Sequence, residues 1–369
     1  MIYCDHSDAE TADQVRAVEQ TAWSYAALPT IKRVAKLAGV SVGTVSHVIT
    51  GSVPVTEPLR LKVQAAIREL NYHPNHVARS LKTRKTRTLG IVIPDMTIPF
   101  FPHVVSGAEE AARQRGYSLI AVNSGDDCER QKELLSLLRA QRVEGILLVV
   151  ASGIMPQTQI ARILESGIPI VCLDRVPDRL RVDSICVENR DAASLCVEHL
   201  LAMGHERIAI ATGPLALRNE RERLLGCKQA MERAGIVWNE QMVWEGNLRV
   251  DDVASLCRER LEAHGLRPDA LFSTNGPTAL GALRALRACG LDTPRDIAFA
   301  TFDELTIDDL FLPSITTIVQ PAHDIGYRAA ELLLKRIEGE EMQDSPVTIR
   351  LPAVLKIRAS SRTKTGRNS

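Results

Sequence analysis

The stretch TIKRVAKLAGVSVGTVSHVI, residues 30–49, contains two short helical patterns separated by a glycine. In the first, apolar residues recur at spacings of three and four from Ile31, which places them on one face of a helix. Gly39 interrupts the pattern, and the apolar spacing resumes from Val45. Two short helices joined by a tight turn at glycine are typical of a helix-turn-helix unit.

A third helical pattern, TEPLRLKVQAAIRELNY, follows at residues 56–72. Thr56 is a candidate N-cap, and Pro58 lies in the first turn, where its missing N–H costs nothing. The apolar residues of this segment form one stripe. We therefore expect the third helix to close a small core over the first two.

The charge of this region is strongly asymmetric. The whole chain of 369 residues has a net charge of +0, yet residues 30–87 contain eleven basic residues and two acidic ones, a net charge of +9. A basic block of this kind favours a polyanionic partner, and nucleic acid is the predicted one. The alternative is a charged, solvated surface.

The basic block ends in VARSLKTRKT, residues 77–86, which has four basic residues and no acidic one. It could be a solvated linker, but Val77, Ala78 and Leu81 have the spacing of one face of a short helix. So short a helix is marginal in water without a partner.

From Thr88 onward, apolar strand patterns alternate with amphipathic helices. This alternation predicts parallel sheets with helices on both faces, an α/β fold. Some ten strands exceed one ordinary doubly wound sheet. We therefore predict two doubly wound α/β subdomains facing each other across a cleft.

Polar residues follow several of the predicted strands, where ligands bind in open α/β sheets. Two arginines lie between a predicted strand and helix and add cationic groups. Together such side chains suit a small polyhydroxylated ligand, although each alone could be a helix cap or a salt bridge between subdomains. The residues are Asp95, Asp174, Asn275, Asp303, Arg221 and Arg223.

No motif of a hydrolase, phosphate-binding loop, dinucleotide fold or metalloprotease is present, so we expect no enzyme, cofactor or metal site. The eight cysteines are scattered singly, as buried apolar residues would be. The sequence contains no run of about 18 apolar residues, so no membrane span is predicted. The first 29 residues lack a secretory pattern, and we expect a cytoplasmic protein.

Seven motifs in order, TIKRVAKLAGVSVGTVSHVITGS, NYHPNHVARSLKTRKTRTLGIVIPD, PFF, GHERIAIATGP, RERLLG, ALG and ITTIVQP, resemble the lactose-repressor and galactose-repressor family of bacterial transcription regulators. The similarity runs from Thr30 to about Arg362. It implies cytoplasmic homodimers or tetramers that bind palindromic operator DNA. It also implies a small sugar-like effector in a cleft similar to that of periplasmic sugar-binding proteins.

By this resemblance, three residues of the second helix read bases, two others lie nearer phosphates, and a hinge helix at residues 75–82 orders on the operator. Leu81 would then enter the minor groove and hold a kink, while basic neighbours neutralise phosphates. The implied DNA-binding residues are Thr30, Ser41, Val42, Gly43, Thr44, Ser46, His47, Asn75, Arg79, Leu81 and Lys82.

The resemblance also implies the effector-lining residues Asp95, Phe100, Asp174, Arg223, Asn275 and Asp303. Gly276 stands where the family usually has aspartate, and Leu248 where several members place an aromatic residue. The tail has no heptad repeat, so a dimer is expected rather than a tetramer.

The predicted organisation has six parts: an extension at 1–29, the helix-turn-helix domain at 30–74, the hinge at 75–87, an N-terminal effector subdomain at 88–186 plus 320–349, a C-terminal one at 187–319 plus 350–362, and a tail at 363–369.

The leading functional prediction is a repressor controlled by a sugar, sugar acid or derivative. A family member controlled by a protein partner and a sugar-binding protein without DNA function are the alternatives.

Overall fold

The structure is a computed structural model that describes residues 29–51, 53–72, 85–153, 157–178, 180–263, 267–305, 313–340 and 345–362. The chain forms two compact units, one ending at Arg84 and one beginning at Lys85. The predictions for the extension, for most of the hinge and for the tail fall on residues outside the described ones.

The first unit contains three helices: α1 at Ile31–Ala38, α2 at Val42–Thr50 and α3 at Glu57–Glu69. Gly39 ends α1 in the left-handed conformation, with φ of 65°, which only glycine adopts without strain. Val34, Val45 and Val63, one from each helix, are fully buried in one core. The predicted helix-turn-helix unit, closed by a third helix, is confirmed.

The second unit contains two six-stranded sheets. The first sheet has the order β11-β5-β4-β3-β1-β2, and all its pairs are parallel. Its strands are β1 at Thr88–Ile93, β2 at Ser118–Asn123, β3 at Gly145–Leu148, β4 at Ile170–Leu173, β5 at Asp183–Val187 and β11 at Thr348–Leu351. Its helices are α4 at Phe100–Gln114, α5 at Cys128–Ala140, α6 at Gln157–Glu165 and α11 at Ala322–Glu338.

The second sheet has the order β12-β10-β9-β8-β6-β7. Its strands are β6 at Ile208–Thr212, β7 at Val243–Glu245, β8 at Ala270–Ser273, β9 at Ala298–Phe302, β10 at Thr316–Val319 and β12 at Val354–Lys356. Its helices are α7 at Asn189–Ala202, α8 at Arg218–Arg233, α9 at Val250–Glu262 and α10 at Gly276–Ala288. The sheet is parallel except for its edge strand β12, which pairs antiparallel with β10.

Two helix pairs pack closely because glycines lie at their crossings. A Cβ on Gly107 of α4 would lie 2.0 Å from the carbonyl oxygen of His323, and one on Gly326 of α11 would lie 1.9 Å from that of Val104. In the second subdomain, Gly226 of α8 meets the Arg190 carbonyl of α7 in the same way. Alanine at these positions would push the backbones apart.

The chain passes between the two sheets after β5, after β10 and again after β11. Strand β11 ends at Leu351, two residues beyond the predicted boundary at 349. The subdomain boundaries stay a prediction, while the α/β fold with two sheets facing a cleft is confirmed.

Candidate effector cleft and DNA-binding surface

The N-terminus of α2 is held by its own side chains. Ser41 is the N-cap, and its Oγ accepts from the backbone N–H of Thr44 at 3.1 Å. The two hydroxyls are also hydrogen-bonded, at 2.9 Å. Capping satisfies donors that the first helical turn leaves unpaired, so this end of α2 is fixed without help from a partner.

The predicted base-reading residues lie on the exposed side of α2. Val42, Gly43 and His47 are exposed, whereas Thr44 and Ser46 are half-buried, and Val45 faces the core. The described part of this unit has six basic residues and two acidic ones, a net charge of +4. An exposed helix face on a positively charged unit fits entry into the major groove of DNA.

Thr30, also predicted to contact DNA, is exposed and caps α1, accepting from the N–H of Arg33. The other predicted contacts, Asn75, Arg79, Leu81 and Lys82, lie outside the described residues.

A cavity lies in the second unit, beyond the carboxyl ends of strands of both sheets. Five of the six predicted effector residues line it. The lining consists of Ile98, Phe100, Phe101, Asp174, Arg175, Asn219, Glu220, Arg223, Leu248, Asn275, Pro277, Asp303 and Gln320.

Asp95 is not among the residues that line this cavity. Its carboxylate accepts hydrogen bonds from the backbone N–H and the hydroxyl of Thr97, both at 2.8 Å. An aspartate that bonds the chain two residues further on stabilises a turn. The assignment of Asp95 to the effector site stays a prediction, and its Oδ1 is bonded within this local turn.

Arg223 is the centre of the cavity wall and is 1% exposed. Its Nε donates to Asn189 Oδ1 at 2.8 Å, and Nη1 donates to the Thr274 carbonyl at 2.7 Å. The guanidinium carbon lies 3.8 Å from the centre of the Phe302 ring. Nη2 has no hydrogen-bond partner among the described residues. Arg223 is thus held in place with one donor left for a ligand.

The position of Arg223 within its element differs from the prediction. Arg221 and Arg223 were expected between a strand and a helix, but both lie inside α8, which begins at Arg218. No glycine or proline lies between Leu217 and Leu225, and arginine and glutamate favour helix. Arg221 does not line the cavity: it donates to Asp178 and to two backbone carbonyls.

Glu220 is a buried acid that the sequence analysis did not identify. It is 2% exposed and accepts from the hydroxyls of Thr212 and Thr274 and from the N–H of Gly213. Its other oxygen accepts from Asn275 Nδ2 at 3.2 Å and lies 3.5 Å from Arg223 Nη1. Burying a carboxylate is costly unless hydrogen bonds and a nearby positive charge replace its hydration, and these contacts do so for Glu220. In the sequence, an acid in the first turn of a helix is explained by the helix dipole alone.

Burial changes the acidity of two cavity carboxyls. Burial raises the pKa of Asp174 to about 6, although Arg223 and Arg175 oppose the shift. Burial also raises the pKa of Asp303, against the opposing effects of Arg223 and of a hydrogen bond from Gln320. Desolvation therefore outweighs the nearby positive charges at both carboxyls.

Asn275 has both structural and lining roles. Its side chain caps α10, accepting from Thr278 N at 2.9 Å, and its amide donates to Glu220. The backbones of Asp174, Leu248 and Asp303 have positive φ, at 55°, 66° and 75°. Such conformations concentrate at binding sites, where the surrounding structure holds them.

A second, larger groove lies beside Trp238 at the start of β6. Several buried polar atoms have no partner among the described residues, and none of them belongs to this groove. Four belong to the cavity around Arg223, which makes that cavity the candidate ligand site.

Within the described ranges, no cluster of histidine, cysteine, aspartate and glutamate could hold a metal ion. Of the seven cysteines in the part of the chain that the structure describes, five are buried and two are half-buried. None of the described helices is long and apolar enough to span a membrane.

Two family profiles match the chain. One, "Bacterial regulatory proteins, lacI family", matches residues 30–75, and the other, "Periplasmic binding proteins and sugar binding domain of LacI family", matches residues 86–358. The chain is 38% identical over 314 residues to the HTH-type transcriptional repressor PurR of Vibrio campbellii (strain ATCC BAA-1116), which is 85% of this chain and 93% of that protein. It is also 36% identical over 334 residues to the ribose operon repressor of Escherichia coli (strain K12). This match covers 90% of this chain and 100% of that protein.

Solved structures give the same result. The lac repressor dimer bound to operator and the anti-inducer ONPF matches with a TM-score of 0.80 at 30% identity, covering 91% of this chain and 99% of that one. A complex of the transcriptional regulator CelR with cellobiose matches with a TM-score of 0.68 at 33% identity, covering 90% and 99%.

Proposed function

This chain belongs to the lacI family of bacterial regulatory proteins, and we propose that it represses transcription by binding operator DNA under the control of a small molecule. The observation that carries the proposal is that one chain has both a helix-turn-helix unit and a ligand cavity with unpartnered buried polar atoms. Related repressors of similar length support it.

We further propose that operator contacts come from α2 and from the segment after α3. The exposed Val42, Gly43 and His47 would contact base edges, while Thr44 and Ser46 would lie nearer phosphates. Leu81 would wedge into the minor groove and Lys82 would neutralise phosphate. A palindromic operator bound by a homodimer places one such unit on each half-site.

The effector would lie in the cavity around Arg223. Arg223 and Asp174 offer it a donor and an acceptor, Asn275 and Asp303 shape the wall, and Phe100 adds an apolar face. This mixture fits a small polyhydroxylated ligand, which presents donors, acceptors and a carbon skeleton together. Among the structural relatives, CelR is seen with cellobiose.

We propose a cytoplasmic regulator without enzymatic activity. A sugar-binding protein without DNA function is disfavoured by the match of residues 30–75. A family member controlled by a protein partner is the second candidate, and calorimetry with sugars separates it from the first, since such a regulator would not need a ligand in the cavity.

The proposal is tested by selecting sequences from random double-stranded DNA with the full-length protein. We expect a palindromic consensus sequence whose two halves are each read by one subunit. Enrichment of no common sequence, at a salt concentration that suppresses non-specific binding, would contradict the proposal.

A further inference from the structure

The unpartnered polar atoms of the cavity are mostly hydrogen-bond acceptors. They are Asp174 Oδ1, Asn219 Oδ1 and Gln320 Oε1, against one donor, Arg223 Nη2. The orientation of Gln320 is set by its amide nitrogen, which donates to the Asp303 carboxylate. A ligand that satisfies these atoms must supply more donors than acceptors.

The charged groups that line the cavity also disfavour an anionic ligand. Three carboxyl groups, of Asp174, Glu220 and Asp303, face one central guanidinium, that of Arg223. The other lining arginine, Arg175, is already paired with Asp126. The positive charge that could attract an anion is therefore outnumbered inside the cavity.

Of these three carboxyl groups, that of Glu220 comes closest to the Arg223 guanidinium, at 3.5 Å against 3.8 Å for Asp174. It is buried beside Arg223, with its oxygen 3.5 Å from Nη1, and its other contacts hold it there. In the neighbouring small cavity, Arg218 and Arg350 share one carboxylate, Glu222, and Asp174 lines both cavities. Besides Arg175, which is paired with Asp126, the two cavities together have three arginines and four carboxyl groups, so the positive charge remains outnumbered.

We propose that the cleft selects an uncharged or amine-bearing polyhydroxyl compound over a phosphorylated or carboxylated one, and that Glu220 sets this selectivity by neutralising Arg223. This inference rests on the proposed function, because it names the ligand class for the same cavity. An anionic group placed beside these carboxylates is repelled in a site shielded from water. The anionic member of a matched pair should bind at least about a hundredfold more weakly.

The first test uses inorganic phosphate as the probe and the full-length protein. Phosphate is exchanged for chloride at constant ionic strength, and the melting temperature is recorded. Because phosphate also binds the basic first unit, Glu220→Gln is compared with Glu232→Gln, which removes the same charge from an exposed site on α8. We expect phosphate to stabilise Glu220→Gln more than either Glu232→Gln or the wild type. An equal shift in all three proteins would overturn the role of Glu220.

The second test needs only the wild-type protein and stands if Glu220→Gln fails to fold. Calorimetry compares glucose and glucosamine with glucose 6-phosphate and gluconate, and ribose with ribose 5-phosphate. Binding confined to the uncharged or amine-bearing members supports the inference, and an anionic member that binds as tightly as its partner overturns it. If no compound binds, ligand control itself is in question, while the phosphate comparison still decides the charge selectivity.

Discussion

Arg223 Nη2 lies 3.8 Å from Asp174 Oδ1, and neither atom has a hydrogen-bond partner among the described residues. Asp174 follows β4 of the first sheet, whereas Arg223 belongs to α8 in the second subdomain. The distance is too long for a hydrogen bond, so the two groups attract each other while each can still bind a ligand. A hydroxyl that donates to Asp174 and accepts from Arg223 would join the two subdomains.

The preceding two residues of α8 also contact the first subdomain. Arg221 donates to Asp178, and Glu222 lies 3.4 Å from Arg350 Nη1 on β11. One turn of α8 therefore carries three links across the cleft. Only the link through Arg223 is buried.

Burial predicts different costs for removing two of these arginines. Arg221→Ala should lower the free energy of unfolding by less than about 1 kcal/mol, because its ion pair is exposed. Arg223→Ala should lower it by about 3–5 kcal/mol, because it leaves buried carboxylates without their partner. Urea denaturation followed by circular dichroism measures both. Equal losses would show that Arg223 is not the buried link described here.

The raised pKa of Asp174 predicts a pH-dependent stability. A carboxyl whose pKa is raised to about 6 on folding contributes stability that is fully present below its unfolded pKa and is lost as the pH rises through about 6. The loss is at most about 3 kcal/mol for a shift of about two pKa units. The Asp174→Asn variant lacks this titrating carboxyl. Relative to the wild type, its free energy of unfolding should therefore increase between pH 4 and pH 7. A difference that does not change with pH would show that Asp174 is not desolvated.

Gly43 lies in the first turn of α2, where an added Cβ would meet only Ser41 Oγ, at 3.5 Å. Gly43→Ala should therefore stabilise this helix by about 0.5–1 kcal/mol, because alanine loses less backbone entropy. Slower hydrogen exchange of the α2 amides in the full-length protein is the measurement. If Gly43 also faces the bases, selection with the variant should change the preferred base at one symmetric pair of positions. Unchanged exchange would contradict the packing described for this turn.

Substitutions of Leu81 and Lys82, which lie outside the described ranges, should weaken DNA binding in different ways. Lys82→Ala removes a phosphate contact, so the slope of log K against log salt should decrease by about 0.9 per subunit on any DNA. Leu81→Ala keeps every charge. It should therefore lower the affinity for the operator alone, because the kink in the operator is no longer held. Affinities for operator and random DNA at several salt concentrations distinguish them. If Leu81→Ala weakens both equally, the residue is not a DNA wedge.

Much of the fold follows from local patterns in the sequence. The three helices of the first unit are marked by Gly39, by the cap at Ser41 and by apolar spacing, all of which act within a few residues. The two-sheet architecture follows from the alternation of apolar strands and amphipathic helices. The antiparallel edge strand β12 carries no such signal, because pairing direction depends on where a chain returns in space.

The cavity could be predicted in part. The rule that ligands bind beyond strand ends found Asp174, Asn275 and Asp303, and the same rule would have found Gln320, which directly follows β10. It also selected Asp95, which does not line the cavity and whose Oδ1 is bonded within a local turn. Glu220 could not be recognised, because two of the partners that bury it, Thr274 and Asn275, lie 54 and 55 residues away in the sequence.

The most direct measurement of ligand-controlled operator binding is fluorescence anisotropy of the selected operator, titrated with protein in the presence and absence of a ligand shown to bind by calorimetry. We expect the ligand to change the operator affinity of the wild type at least about tenfold, an ordinary coupling between two sites. Arg223→Ala, if folded, should bind the operator without responding to the ligand, and Arg221→Ala should still respond. Ligand binding that leaves operator affinity unchanged in the wild type would contradict the account.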